Sequence, residues 1–209
     1  MVYPEIVVAG CGNPLFADDG FGPAVAEELR KFELPENVMA LDAGTSGPEC
    51  IFPMLDPAVT KKLIVVDITD FGGEPGSLIL FRLDDFRSGG IRDAHAGGIV
   101  EPLLTMKNEI DISIIGCQPK HVSDSVMEIG LSNEVLNAVP RTVRIILDLI
   151  GIEPGASIGS LTENYLNKFQ NPAGIWGASN ILHPQNYEMF SSCTMVPVDQ
   201  LEMKKGASI

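Results

Sequence analysis

Short uninterrupted apolar runs, rather than alternating ones, set the plan of this chain. Glu5-Ile6-Val7-Val8-Ala9, Lys62-Leu63-Ile64-Val65-Val66 and Asp111-Ile112-Ser113-Ile114-Ile115-Gly116 are rich in β-branched residues and carry almost no polar alternation. Strands covered on two faces read this way, whereas strands wetted on one side alternate. Between the runs the apolar period lengthens to that of a helix. Pro23, an accepted first-turn residue, opens a helix that runs through Ala24-Val25-Ala26-Glu27-Glu28-Leu29-Arg30. A second helix follows Pro48, with Cys50-Ile51-Phe52 and Met54-Leu55 at helical spacing. The longest amphipathic stretch, Asn133 to Ile150, aligns Val135, Leu136, Val139, Val143, Ile146, Leu147 and Ile150 on one face.

In chain order, the first strand covers about residues 5 to 10, the second Val38 to Leu41, and the third ends at Asp67. Gly72-Gly73-Glu74-Pro75-Gly76 then turns into Ser77 to Arg82, read as an added edge strand, and a further helix lies around Ile99 to Met106. Alternating elements of this kind predict an α/β fold with three layers: a doubly wound, mostly parallel sheet with helices on both faces, phosphorylase- or hydrolase-like. From Gly151 the texture changes. Residues 153 to 209 are rich in Asn, Gly, Ser and Pro, with one helical candidate at Ser160 to Phe169 and isolated Trp176, Tyr187 and Phe190. The expectation is one α/β domain over residues 1–152, its sheet complete by Ile150, followed by an irregular extension over 153–209 that serves as tail or lid.

Composition narrows the partners. A chain of 209 residues, 45% of them hydrophobic, suits one such domain with a sizeable core. Its 14 Lys and Arg against 28 Asp and Glu give a formal net charge of -14, and no window concentrates the basic residues. Nucleic acid and anionic membrane are therefore poor partners. No apolar run approaches the roughly 18 residues of a spanning helix, and the first strand follows no basic segment, so the expected location is the cytoplasm. Cys11, Cys50, Cys117 and Cys193 form no Cys-x-x-Cys pair. That scatter argues against a disulfide framework and a structural zinc site, and a free cysteine is usually a small buried hydrophobe.

Candidate chemistry gathers at the strand ends. In open α/β sheets ligands sit in the crevice beyond the carboxyl ends of the strands, and Asp19 and Asp67 both fall there. Gly10-Cys11-Gly12 invites a dinucleotide reading, but the third glycine of that fingerprint is replaced by Leu15. The insert from Asn13 to Gly20 is also too long for a phosphate-hugging turn, and its carboxylates repel pyrophosphate. Asp42 imitates the ribose-binding acid of that motif without its context. Each candidate has a structural rival as well. Asp19 can cap the helix entered at Gly20 to Pro23, and Asp67 can tie down the backbone amides of a turn over Thr69 to Gly73. His95, one of three histidines, can be an ordinary loop residue; His121 and His183 lie near prolines.

The run Gly10-x-Gly12-Asn13-x-Leu15-x-x-Asp18-Asp19-Gly20-x-Gly22 is the most specific block in the chain. Together with Asp42-Ala43-Gly44-Thr45, Val66-Asp67 with Pro75-Gly76 beyond it, and Ala94-His95 before a glycine-rich helix start, it resembles the hydrogenase maturation endopeptidases over residues 5 to 152. That resemblance implies an endopeptidase that removes a carboxyl-terminal extension from the large-subunit precursor of a [NiFe] hydrogenase once nickel is in place. It implies Asp19, Asp67 and His95 as the metal-contacting and catalytic trio, and no serine or cysteine nucleophile. Better-known members have glutamate at the position of Asp19. The acidic first loop and the long tail look more like the branch serving deazaflavin (coenzyme F-420)-reducing hydrogenases. One imidazole and two carboxylates suit nickel(II) and leave coordination positions open, with zinc or cadmium as surrogates. Nickel is then supplied by the substrate rather than held tightly beforehand. Asp18, Asp42 and Asp70 are read as shaping the negative field around that centre. A non-catalytic nickel-sensing chaperone and a nucleotide- or deazaflavin-binding oxidoreductase domain are the alternatives; the chaperone would leave its client's length unchanged, and the oxidoreductase would need basic side chains where this chain has acids.

Overall fold

The apolar runs become strands β1 (Ile6–Cys11), β2 (Val38–Gly44), β3 (Lys62–Ile68), β4 (Leu78–Arg82) and β5 (Asp111–Cys117), and the intervening stretches give helices α1 (Phe21–Leu29), α2 (Gly47–Ile51) and α3 (Asn133–Leu149). The computed structural model describes residues 3–82, 103–106, 108–152 and 196–197. Neighbouring strands follow the order β2-β1-β3-β5-β4-β6, where β6 is Val196–Pro197. The first four in that order are parallel, β4 runs antiparallel to β5, and β6 antiparallel to β4.

Period-two alternation distributes the strand residues between two layers of core. Val8, Ile64, Val66 and Ile115 pack against Phe21, Val25 and Leu29 of α1 and against Val135, Val139, Val143 and Ile146 of α3. On the other face Val7, Ala9, Leu63, Val65, Ile112 and Ile114 meet Ile51 of α2 together with Leu55, Leu103 and Ile110. The expected three-layer arrangement is thus present. Asp67 has the parity of Leu63 and Val65, so it stands on the α2 side of the sheet, one residue short of the end of β3.

Some boundaries differ for physical reasons. Helix α1 begins at Phe21, ahead of Pro23, because a proline within the first turn removes an N–H that has no intrahelical acceptor. Strand β2 continues past the apolar run to Gly44, since backbone pairing persists: Gly10 faces Asp42, and Cys11 faces Gly44 across an irregularity. Strand β4 is not the edge. Ile79 and Leu80 pair with Pro197 and Val196, so the sheet is completed from beyond Ile150. Of the helix expected over Ile99 to Met106, Leu103 and Leu104 are helical. Its earlier part, the Ser160 to Phe169 candidate, Trp176, Tyr187 and Phe190 lie outside the described residues. No helix among the described residues is long and apolar enough to cross a membrane.

Candidate active site

Glycines let the first loop close down over the strand ends. A methyl group on Gly10 would lie 2.1 Å from the carbonyl oxygen of Gly22, and one on Gly22 would lie 2.1 Å from that of Cys11 and 2.6 Å from that of Val66. The start of α1 therefore rests directly on β1 and β3. Gly12, at φ +124°, has the carbonyl oxygen of Asp19 only 1.9 Å from where its Cβ would be. The first loop's own backbone thus packs directly onto Gly12, which leaves room only for glycine there.

Asp19 sits in the 3-10 turn Asp18–Gly20 and is 2% exposed. Its Oδ2 accepts the Asn13 N–H at 2.9 Å. It does not cap α1, whose N-cap is Gly20 and which has no side-chain cap. The turn packs against β3, where Asp67 is 5% exposed and accepts the N–H of Ile68 at 2.8 Å through Oδ1. Gln118 and Asp70 hold the turn that follows. The N–H groups of Phe71 and Gly73 donate to Gln118 Oε1 at 2.9 and 3.1 Å, Gly72 N–H donates to Asp70 Oδ1 at 3.2 Å, and Gln118 Nε2 donates to Asp70 Oδ1 at 3.1 Å. Asp19 therefore does not act as the helix cap, and two buried carboxylates stand on different elements that pack together at the carboxyl edge of the sheet. His95 lies outside the described residues, as does His183. Among the described residues no group of three or more His, Cys, Asp and Glu is assembled to hold a metal.

The neighbouring acids have duties other than a diffuse field. Asp18 is fully buried and its carboxylate is a clamp: Oδ2 accepts the N–H groups of Lys120 and His121, both at 2.9 Å, and the Ser132 hydroxyl at 3.0 Å, while Oδ1 accepts the Ser132 N–H at 2.6 Å. Backbone bonds from Ala17 N–H to Glu128 C=O (2.6 Å) and from Glu128 N–H to Leu15 C=O (2.8 Å) run beside it. They hold Ala17 at φ 54°, a conformation that costs a non-glycine residue about 1–3 kcal/mol. Asp42 is exposed and closes its own turn by accepting the Gly44 N–H at 2.9 Å. Asp70 is engaged by Gln118 and Gly72. His121 Nε2 pairs with Glu128 Oε2 at 3.0 Å. Neither Gln118 nor the clamping role of Asp18 was readable beforehand; the one signal is position, since Gln118 directly follows β5.

Two thiols close to these acids are inert. Burial pushes the Cys11 thiol far above its ordinary range, and the charges of Asp67 and Asp42 raise it further. Cys117 is pushed up to about 12, again chiefly by burial, with Asp18 adding to it. Both stay protonated at neutral pH, which removes them as nucleophiles. A native thiol that ionises later than its unfolded counterpart stabilises the fold below the unfolded value and loses that contribution as pH rises. Stability is accordingly expected to fall between about pH 9 and pH 12, and iodoacetamide at pH 8 is expected to label Cys11 and Cys117 only after denaturation. Labelling of either in the native protein, read by peptide mass spectrometry, would overturn this.

The model of the hydrogenase maturation protease family matches residues 23–149. Over 152 residues the chain is 43% identical to the protein described as coenzyme F420 hydrogenase subunit delta of Methanothermobacter thermautotrophicus, covering 71% of this chain and 96% of that one. It is 40% identical to a putative hydrogenase maturation protease of Methanocaldococcus jannaschii, over 68% of this chain and 94% of the relative. Among solved structures, a hydrogenase 2 maturation peptidase from a Thaumarchaeota archaeon aligns with TM-score 0.54 at 29% identity, covering 71% of this chain and 99% of that one. A [NiFe] hydrogenase maturation protease from Thermococcus kodakarensis aligns with TM-score 0.58 at 25% identity, over 69% and 90%.

Proposed function

Because the chain belongs to the hydrogenase maturation protease family, we propose that it removes the carboxyl-terminal extension of a [NiFe] hydrogenase large-subunit precursor after nickel insertion. In this reading Asp19, Asp67 and His95 contact the nickel that the precursor carries. The observation that supports it is the burial of both Asp19 and Asp67, on a turn and a strand end that pack together at the carboxyl edge of the sheet. Hard carboxylate donors with an imidazole accept nickel(II) or zinc without saturating either, so the remaining coordination positions stay with the substrate. Such a site exchanges metal readily, and a tighter one would strip the nickel it has to recognise. Docking onto the metal fixes where the adjoining peptide lies, and a metal there serves to polarise the scissile carbonyl or to activate water. Protonated Cys11 and Cys117 supply no competing covalent route.

The described cysteines are free thiols, in keeping with work in the cytoplasm. Likeness to the coenzyme F420 hydrogenase subunit supports a coenzyme F420-reducing hydrogenase as the client. Metal-free enzyme is expected to shorten the nickel-loaded precursor, seen as a mobility shift on denaturing gels, and to leave the nickel-free precursor intact. Equal cleavage of both would overturn metal reading, and no cleavage of either would overturn the proteolytic assignment to this client.

A further inference from the structure

Large aliphatic side chains are exposed together in one place. Val126, Met127 and Ile129 are 69%, 71% and 81% exposed, all in the connection between β5 and α3, and Val122 and Leu15 are partly exposed beside them. Scattered exposed aliphatics need no explanation, but a run of them on one short loop marks a surface that something else covers. Charged side chains rim it, Asp124 and Glu128 among them, which is the composition of a contact with a dry centre and a wet edge.

This loop is fastened to the site. At one end the backbone N–H groups of Lys120 and His121, and at the other the N–H and hydroxyl of Ser132, all converge on the Asp18 carboxylate, next to Asp19. In the middle, Glu128 exchanges backbone bonds with Ala17 and Leu15 of the first loop. Leu15 and Val122, both exposed on these paired segments, thus lie between the acid-bearing loop and the aliphatic tip. A loop held at its base in this manner presents its side chains already ordered, and so gives up little entropy on binding.

Resting on the proteolytic reading above, we infer that Leu15, Val122, Val126, Met127 and Ile129 form the docking surface for the folded body of the hydrogenase precursor, continuous with the site that receives its extension. The occupant is the substrate because the surface is contiguous with the acids and braced by the residue adjoining one of them. A peptide extension alone would need no such platform; a folded client does. Asp18 then makes the platform and the acid loop one rigid unit, so that a client seated on the aliphatic tip is placed in register with Asp19.

Two measurements on the full chain test this. In the first, Met127→p-benzoylphenylalanine is irradiated alone and with nickel-loaded large-subunit precursor. An adduct with the precursor is expected; a cross-link to a second copy of this chain, or to its own residues 153–209, in the precursor's presence and to the exclusion of that adduct, would overturn the assignment. In the second, Met127→Ser combined with Ile129→Ser is expected to raise KM for the precursor about tenfold or more while changing kcat less than about twofold. Unchanged KM would overturn the docking surface while wild-type cleavage leaves the proteolytic reading standing. An adduct formed without any shortening by the wild type would support docking and overturn the proteolysis instead.

Discussion

Asp67→Ala is expected to fold and to process precursor slower by two to three orders of magnitude, the usual scale for deleting one preorganised charged group from a reaction centre. The carboxylate is buried at the end of β3, and its removal forfeits bonds that include the one from the Ile68 N–H. Leaving that amide unpaired costs about 1–3 kcal/mol, less than the stability of a domain with a two-sided core. His95→Ala and Asp19→Ala are expected to match it in activity. Asp19→Glu is expected to be milder, since it keeps a carboxylate donor with one methylene more of reach. Thermal unfolding beside a precursor-cleavage time course checks both halves, and wild-type cleavage by Asp67→Ala would overturn the site.

Gly12→Ala should do the opposite and damage the scaffold itself. Its added methyl would fall 1.9 Å from the backbone oxygen of Asp19, at a φ of +124° that L residues rarely adopt. A flexible side chain could swing away, but a backbone carbonyl cannot, so the loop carrying Asp18 and Asp19 must shift as a body. The expected cost is about 3 kcal/mol or more, with cleavage lost alongside. Gly44→Ala is the informative comparison. Gly44 also has positive φ, +55°, yet nothing lies within 4 Å of its Cβ position, so only conformational strain of about 1 kcal/mol applies. Equal melting temperatures for the two variants would show that contact with Asp19 is not what Gly12 protects.

The strands and the placement of Asp67 at the end of one were legible because they depend on local pattern: continuous β-branched runs demand burial on both faces, and the first polar residue after such a run falls at the crevice. Asp19 was placed near that edge because its loop follows directly on the first strand, whereas the close approaches of Gly10, Gly12 and Gly22 that hold the loop there are contacts between residues separated in the chain. The role of Asp18 was not legible, because every group it accepts is on the segment from Lys120 to Ser132, far along the chain, and three of its four donors are backbone amides that any residue would provide. The same holds for Gln118, which accepts the turn amides of Phe71 and Gly73 from just past β5. Strand β6 escaped notice because Val196–Pro197 is too short to show a period, and its pairing is made by main chain. His95, which lies outside the described residues, was named through the family motif rather than through periodicity.

That late strand bears on how the protein emerges from the ribosome. Every other strand and helix named above precedes Gly151, and among the described residues only β6 pairs with the outer side of β4, so these elements can be made and begin to assemble while that side of β4 awaits its partner. Nascent chains translated close together on one message would find in that side a ready template for mutual pairing. Val196 and Pro197 arrive last and occupy it opposite Leu80 and Ile79. Proline brings no N–H, so the new margin is poorer in donors than the one it covers. Synthesis of the carboxyl-terminal stretch is thereby the step that ends the chain's exposure to self-association through this edge.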